Sequence, residues 1–342
     1  MFRKGMTERD AITISAVLGF VVLLLILLIC RPFTWGDANQ WPQSVNKGDI
    51  VASQSAVTVS GGAVSGGSIF GTASGAAVSG SAFSVDGNYL IDATGDTLET
   101  RVLPPEGYER TSETEESLSS FLRTYEMKKD GAKVKLHDGN DKVNQEAHVA
   151  VFKLPIEEGD LQQCADSVMR VYAEYFWKNS QFDKISFSFV DGFQADYIRW
   201  REGYRIQLGS TQSSWVDGGT YDDSYANFQK YMRMVFAYSS TISLKNESKK
   251  IKVSEMQTGD IFLESGSPGH VVMIVDVCEN EYGQKAYLLA QGFMPAQEFH
   301  VLKNPAHEGN PWYYEEEIVF PLQTPEFTFN KKNTLRRLQY MY

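Results

Sequence analysis

The sequence predicts an α+β fold, and three observations carry the prediction. Two long stretches, Leu161 to Trp177 and Tyr221 to Tyr238, repeat their apolar residues at helical spacing. From Asp260 onward, short apolar or alternating runs follow one another, as strands do. The helical stretches come first and the strands after, which favours an antiparallel sheet over an alternating parallel one.

Composition bounds the rest. The chain has 342 residues, a formal net charge of −11 and 42% hydrophobic residues, enough for one large or two small domains. An acidic chain lacks the basic surface that phosphate backbones require, so no nucleic acid is expected as a partner. Three cysteines form neither a disulfide framework nor a CxxC zinc pattern. His137, His148, His270, His300 and His307 show no metal-ligand spacing, and neither a metal nor a cofactor is expected.

Residues 1–10 carry Arg3, Lys4 and Arg9, whereas only Arg31 closely follows the uncharged run from Ala11 to Ile29. That run is long enough to span a bilayer. The charge bias puts residues 1–10 in the cytoplasm, residues 11–30 across the membrane as one helix, and the main domain outside the cell. Residues 31–88 are expected as a flexible, disordered linker. Its near-repeats, such as Ser60-Gly-Gly-Ala-Val-Ser-Gly-Gly, cannot bury enough side chain to offset ordering entropy. A coil of about 35 such residues spans roughly 30–35 Å, which keeps the globular domain near the membrane. That domain is expected over residues 89–330. Residues 331–342 follow as a basic tail, with Lys331, Lys332, Arg336 and Arg337 on the surface to touch wall polymer or anionic lipid.

Within the domain, Ser117 to Thr124 reads as a short helix, and Lys133 to Leu136 and Ala147 to Leu154 as strands. Asp160 is the expected N-cap of the helix from Leu161 to Trp177, with Gln163 at the capping-box position. Cys164, Val168, Val171, Tyr172 and Tyr175 share one face of it, and Asp166, Arg170 and Glu174 form a charge ladder on another. Lys184 to Val190 is a further strand. The later strands are Asp260 to Leu263, His270 to Cys278, Ala286 to Gln291, Glu298 to Leu302 and Ile318 to Phe320, with a hairpin turn at Asn280-Glu-Tyr-Gly283.

One stretch carries chemistry. Gly259-Asp260-Ile-Phe-Leu is followed by the turn Gly266-Ser-Pro-Gly269 and then by His270 at the mouth of an apolar strand. Cys164 lies near a helix start, where the macrodipole favours a thiolate. Gln291 ends the strand expected to pair with that of His270. A thiol, an imidazole and a polar side chain that holds the ring make a nucleophilic constellation, with Cys164 as nucleophile, His270 as base and Gln291 as orienter. Gln162 or Gln163, with helix amides, would hold an oxyanion. The bland alternative is equally concrete, because a cysteine on an apolar stripe is usually a small hydrophobe. Asp196 and Arg199 form either a substrate contact or an ordinary surface pair. Asp276 in its apolar strand is expected to orient an arginine or backbone group. His148 and His300 read as structural histidines. Trp215, Trp312, Tyr313 and Tyr314 either stack on sugars or pack internally.

Residues from about Arg101 to Phe329 resemble the family named domain of unknown function 4846. The likeness rests on Pro105-Glu-Gly-Tyr108, Asp160-Leu-Gln-Gln-Cys-Ala-Asp166, Gly266-Ser-Pro-Gly-His270, Leu289-Ala-Gln291, Met294-Pro-Ala-Gln297 and His300-Val-Leu-Lys-Asn-Pro305. It implies a bacterial envelope protein and carries no activity with it. The order Cys164-Ala-Asp, Gly259-Asp260-Ile-Phe, His270-Val-Val-Met-Ile is also similar to NlpC-type cell-wall cysteine peptidases. That resemblance implies a papain-like arrangement of helices and antiparallel sheet. It also implies hydrolysis of amide or peptide bonds in the cell wall, with peptidoglycan or its stem peptides as substrate. The chain departs from it by lacking Asp-Cys-Ser-Gly, by a long Cys-to-His separation, and by a Gln in the third position. The alternative is a non-catalytic envelope module that binds peptidoglycan or a protein partner.

Overall fold

The structure, a computed structural model, describes residues 90–341. The expected membrane helix at 11–30 and the linker at 31–88 lie outside the described residues. Among the described residues no helix is long and apolar enough to cross a membrane.

The first half of the described chain holds the helices. After α1 (Leu98–Arg101) and β1 (Tyr108–Arg110) come α2 (Leu118–Arg123), β2 (His148–Val151) and α3 (Cys164–Lys178). The hairpin of β3 (Ser186–Ser188) and β4 (Gln194–Asp196) leads into α4 (Tyr197–Arg201). A second hairpin, β5 (Tyr204–Gln207) and β6 (Ser214–Asp217), precedes α5 (Tyr225–Tyr238) and α6 (Thr241–Asn246). The sheet strands follow as β7 (Ser248–Lys250), β8 (Ile261–Glu264), β9 (His270–Asn280), β10 (Lys285–Gln291), β11 (His300–Leu302) and β12 (Tyr313–Tyr314). The chain closes with β13 (Leu322–Gln323), β14 (Thr328–Phe329) and β15 (Leu335–Leu338).

The fold is α+β. Its main sheet has nine strands in the order β2-β11-β10-β9-β8-β15-β7, with β1 also on β9 and β12 also on β10. Its pairings are all antiparallel. β9 is the axis. It is buried from His270 to Cys278, because both faces of the sheet are covered. Val271, Met273 and Val275 join one core with Val168, Met169 and Tyr172 of α3. Val272 and Ile274 join a second core with Phe262, Leu289, Leu302 and Phe329. Alternate residues of a strand point to opposite faces, so the two cores lie on opposite sides of the sheet.

Four expectations are corrected. Residues 331–342 are not a surface tail. Leu335 to Leu338 form β15 between β8 and β7, with Leu335 opposite Phe262 and Arg336 opposite Lys250. Arg336 donates to the Ser248 carbonyl (2.7 Å) and Arg337 donates twice to Asp260 (2.7 and 2.8 Å). Ile318 to Phe320 is not a strand. It leaves a single 3-10 turn, and Val319 is 64% exposed. Lys133 to Leu136 makes only isolated bridges, Lys135 with Asp141 and Leu136 with Gln297. The first long helix begins at Cys164 instead of Leu161, because the Asp160 carboxylate is taken by the Ala296 N–H (2.6 Å) and the Gln163 side-chain amide (3.1 Å). It is therefore unavailable as a cap.

Candidate functional site

The face of β9 that carries His270 ends in a buried polar chain. Gln291 lies opposite His300 in the β10–β11 ladder, so both side chains join His270 on the face of the second core. The Gln291 amide N–H donates to the Glu326 carboxylate at 2.8 Å. A carboxylate only accepts, so the other atom of the amide is the oxygen. It accepts from His270 Nε2–H at 2.7 Å. The His270 proton therefore sits on Nε2, and Nδ1 is a bare lone pair, buried and without a hydrogen-bond partner.

Lys142 extends the chain. Its ammonium donates to Glu326 and lies 3.4 Å from His300 Nε2. His300 Nδ1–H donates to the Glu298 carbonyl at 2.8 Å, which leaves Nε2 to accept. Lys142 and Glu326 pair where little of either side chain meets water; burial lowers the Lys142 pKa and the Glu326 bond opposes it. Glu326 comes from the β13–β14 turn and pins that hairpin over the sheet. Phe327 and Phe293 close on the His270 ring, with ring centres 4.9 and 4.7 Å away. Burial is the main cause that holds the His270 pKa down to about 4, with Lys142 adding to it and the Gln291 bond opposing. Burial also lowers that of His300.

Cys164 is placed elsewhere. It is the first residue of α3, after Gln163 as N-cap, and it is 4% exposed. It belongs to the core shared with Val271 and Met273, the face opposite His270. Between the two lies the end of β10. Gly292 there packs so closely on α3 that an added Cβ would meet Ser167 Cβ at 3.0 Å and the Gln163 carbonyl at 3.3 Å. The structure thus brings His270 and Gln291 together and sets Cys164 behind the sheet. Cys164 and Cys278 are not bridged to each other.

The other expected site residues are scattered. Gln162 is fully buried. Its carbonyl accepts from the Glu157 N–H (3.4 Å), and its amide nitrogen has no partner. Gln163 is spent on Asp160. Asp196 accepts from Ser186 instead of pairing with Arg199. Arg199 lies over the rings of Tyr204 and Trp215, at 5.0 and 5.3 Å. Asp276 does orient arginines, accepting from Arg110 and Arg123 at 2.7 Å each. His300 is a satisfied structural histidine, and Trp312 is core, its indole donating to the Leu103 carbonyl. Sequence reasoning misses Lys142 and Glu326. Each is a single charged residue in a loop, with no periodicity around it to mark it. Among the described residues no cluster of three His, Cys, Asp or Glu is arranged to hold a metal.

Comparison with known proteins adds one finding. A family model described as domain of unknown function (4846) matches residues 98–337. No curated protein and no solved structure matches.

Proposed function

We infer a function from the premise that this chain belongs to the family described as domain of unknown function 4846: it is a non-catalytic binding module of the cell envelope, held to the membrane by residues 11–30. One observation carries the reading. Cys164 belongs to the core of Val271 and Met273, whereas strand alternation turns His270 toward the face of Val272 and Ile274. His270 is also committed to Gln291 under a lid of phenylalanines. A base turned to the other face is badly placed to activate that thiol. Cys164 then acts as a small apolar residue that seats α3 on the sheet.

The face we assign to the ligand surrounds α4 and the β5–β6 hairpin. Tyr204 and Tyr221 are 38% and 58% exposed there, and Arg199 stacks beside Tyr204 and Trp215. Arg201 donates to the Tyr221 hydroxyl at 2.8 Å. Flat rings bordered by guanidinium and hydroxyl groups stack on sugar rings and bond their hydroxyls, so wall glycan is the ligand class. Tyr204→Ala with Tyr221→Ala is expected to weaken binding of the full chain to purified wall by about tenfold.

The deciding experiment is alkylation of Cys164 against pH, with Cys278 as internal control. Burial pushes the Cys278 thiol up. Both cysteines are expected to label only on unfolding. Fast labelling of Cys164 well below pH 8, slowed by His270→Ala, would overturn the reading. It would restore the second one, a papain-like cysteine hydrolase of wall amide bonds. That alternative draws support from Cys164 standing at the positive end of the α3 dipole and from the unsatisfied buried donor of Gln162.

A further inference from the structure

β7 is an end strand of the main sheet, and the structure gathers lysines around it from two distant parts of the chain. Residues 245–255 and 331–337 together hold eight Lys and Arg against two Glu, Glu247 and Glu255, in a chain whose net charge is −11. Pairing of β7 with β15 puts Lys250 opposite Arg336, and the Ile251 N–H donates to the Leu335 carbonyl at 3.3 Å. Lys331 and Lys332 lie on the turn that leads into β15, held by the Thr334 hydroxyl on the Lys331 carbonyl.

The charges there are sorted by role. Arg336 and Arg337 turn inward, to the carbonyls of Ser248 and Lys245 and to Asp260. Glu247 is buried, accepting from the Ser188 N–H and the Tyr340 hydroxyl, so its charge does not face the lysines. Lys245, Lys249, Lys250, Lys252, Lys331 and Lys332 are all exposed. Among the described residues no carboxylate lies within 4.0 Å of the amines of Lys245, Lys250, Lys252, Lys331 or Lys332. Lysines on an edge strand also block sheet-to-sheet pairing. That use accounts for Lys249 and Lys250 but not for Lys245, Lys331 or Lys332, which lie off the strand.

We propose that this lysine edge docks on an anionic lipid surface and so orients the domain. The proposal rests on the membrane anchor of the reading above and not on whether the domain is catalytic. Charge complementarity selects the partner class, and the expected linker reach of roughly 30–35 Å keeps the lipid surface within range. The attraction is screened by salt, since exposed charges interact over about 10 Å at 0.1 M.

The test uses the full chain in lipid nanodiscs, either zwitterionic or one-third phosphatidylglycerol. Acetylation rates are read lysine by lysine by mass spectrometry. Lys250, Lys252, Lys331 and Lys332 are expected to react several-fold more slowly in the anionic discs at low salt, and equally in both at high salt. Lys129 and Lys230, exposed elsewhere, are the controls. Equal rates in both discs at low salt would overturn the proposal, as would a chain that fails to insert. Protection by soluble polyphosphate in neutral discs, without protection by anionic lipid, would reassign the face to a wall polymer. None of these readings depends on Cys164. A reactive Cys164 would remove the binding-module reading and leave the lipid face standing, and equal acetylation would do the reverse.

Discussion

His270 and His300 are both fully buried, and both pKa values are lowered for the same reason: a low-dielectric site disfavours the imidazolium. In the unfolded chain each would titrate near its ordinary value, about 6.5. Below that pH the unfolded state binds protons that the folded state refuses, so stability must fall as pH drops toward the folded value of about 4. For His270 alone the full loss is of order 3 kcal/mol, and His300 acts in the same direction. The melting temperature is expected to drop between pH 7 and pH 5, and His270→Gln should flatten that slope. An unchanged slope in the variant would remove His270 as its source. At this scale the sequence is only partly readable. His270 and Gln291 can be found because each closes a strand at a recognisable turn or end. Lys142 and Glu326 cannot, since their pairing spans the whole domain and exists only once β13 and β14 fold over the sheet. Asp276 is legible as an anomaly in an apolar strand, though nothing in the sequence names Arg110 and Arg123 as its partners. Asp276→Asn would leave two guanidinium groups facing a neutral amide. It should cost about 3 kcal/mol in a denaturant titration, whereas a surface carboxylate changed the same way should cost almost nothing.

Elements seat on one another through single close approaches, and α3 has one. Gly292 touches Ser167 and the Gln163 carbonyl with no room for a methyl group. Gly292→Ala is therefore expected to cost about 1–3 kcal/mol by overpacking. Ser167→Ala removes the hydroxyl oxygen, the atom nearest the added methyl group, so the double variant should lose less than the two single losses combined. Simple additivity in thermal melts would mean that α3 shifts freely and is not seated there. The same contact explains why the position of α3 is harder to read than its existence. Helical spacing marks the segment, but its first residue depends on Asp160 being drawn to Ala296, a residue of the distant β10–β11 loop. β9 and β10 are read well because each is a long, nearly continuous apolar run, as a strand covered on both faces is. The short strands β12 to β14 are not, because two-residue ladders have no period to detect.

For the whole molecule, the last strand decides whether the sheet closes. β15 supplies the partner of β7 and pairs with β8. Leu335 enters one core and Leu338 the other. Arg337 answers Asp260, whose pKa burial raises while the guanidinium opposes it. A chain that ends at Thr334 loses all of this at once. Two buried leucines contribute about 1.5–3 kcal/mol each, and an abandoned buried carboxylate costs about 3–5 kcal/mol. Together these approach the whole margin of a typical domain, about 5–15 kcal/mol. The truncated chain is expected to lose its cooperative melt, whereas Lys331→Gln with Lys332→Gln, in exposed positions nearby, should melt like the parent. A basic tail would predict the reverse ranking, with truncation harmless and charge the only loss. The sequence reads as a tail because Arg336 and Arg337 interrupt the apolar pattern of β15. Only the fold shows that each arginine has an acceptor waiting, the half-buried Ser248 on one face and the buried Asp260 on the other. Leu335→Asp should then unfold the domain as truncation does, since it places an unpaired charge against Phe262 while leaving the chain length and both arginines intact.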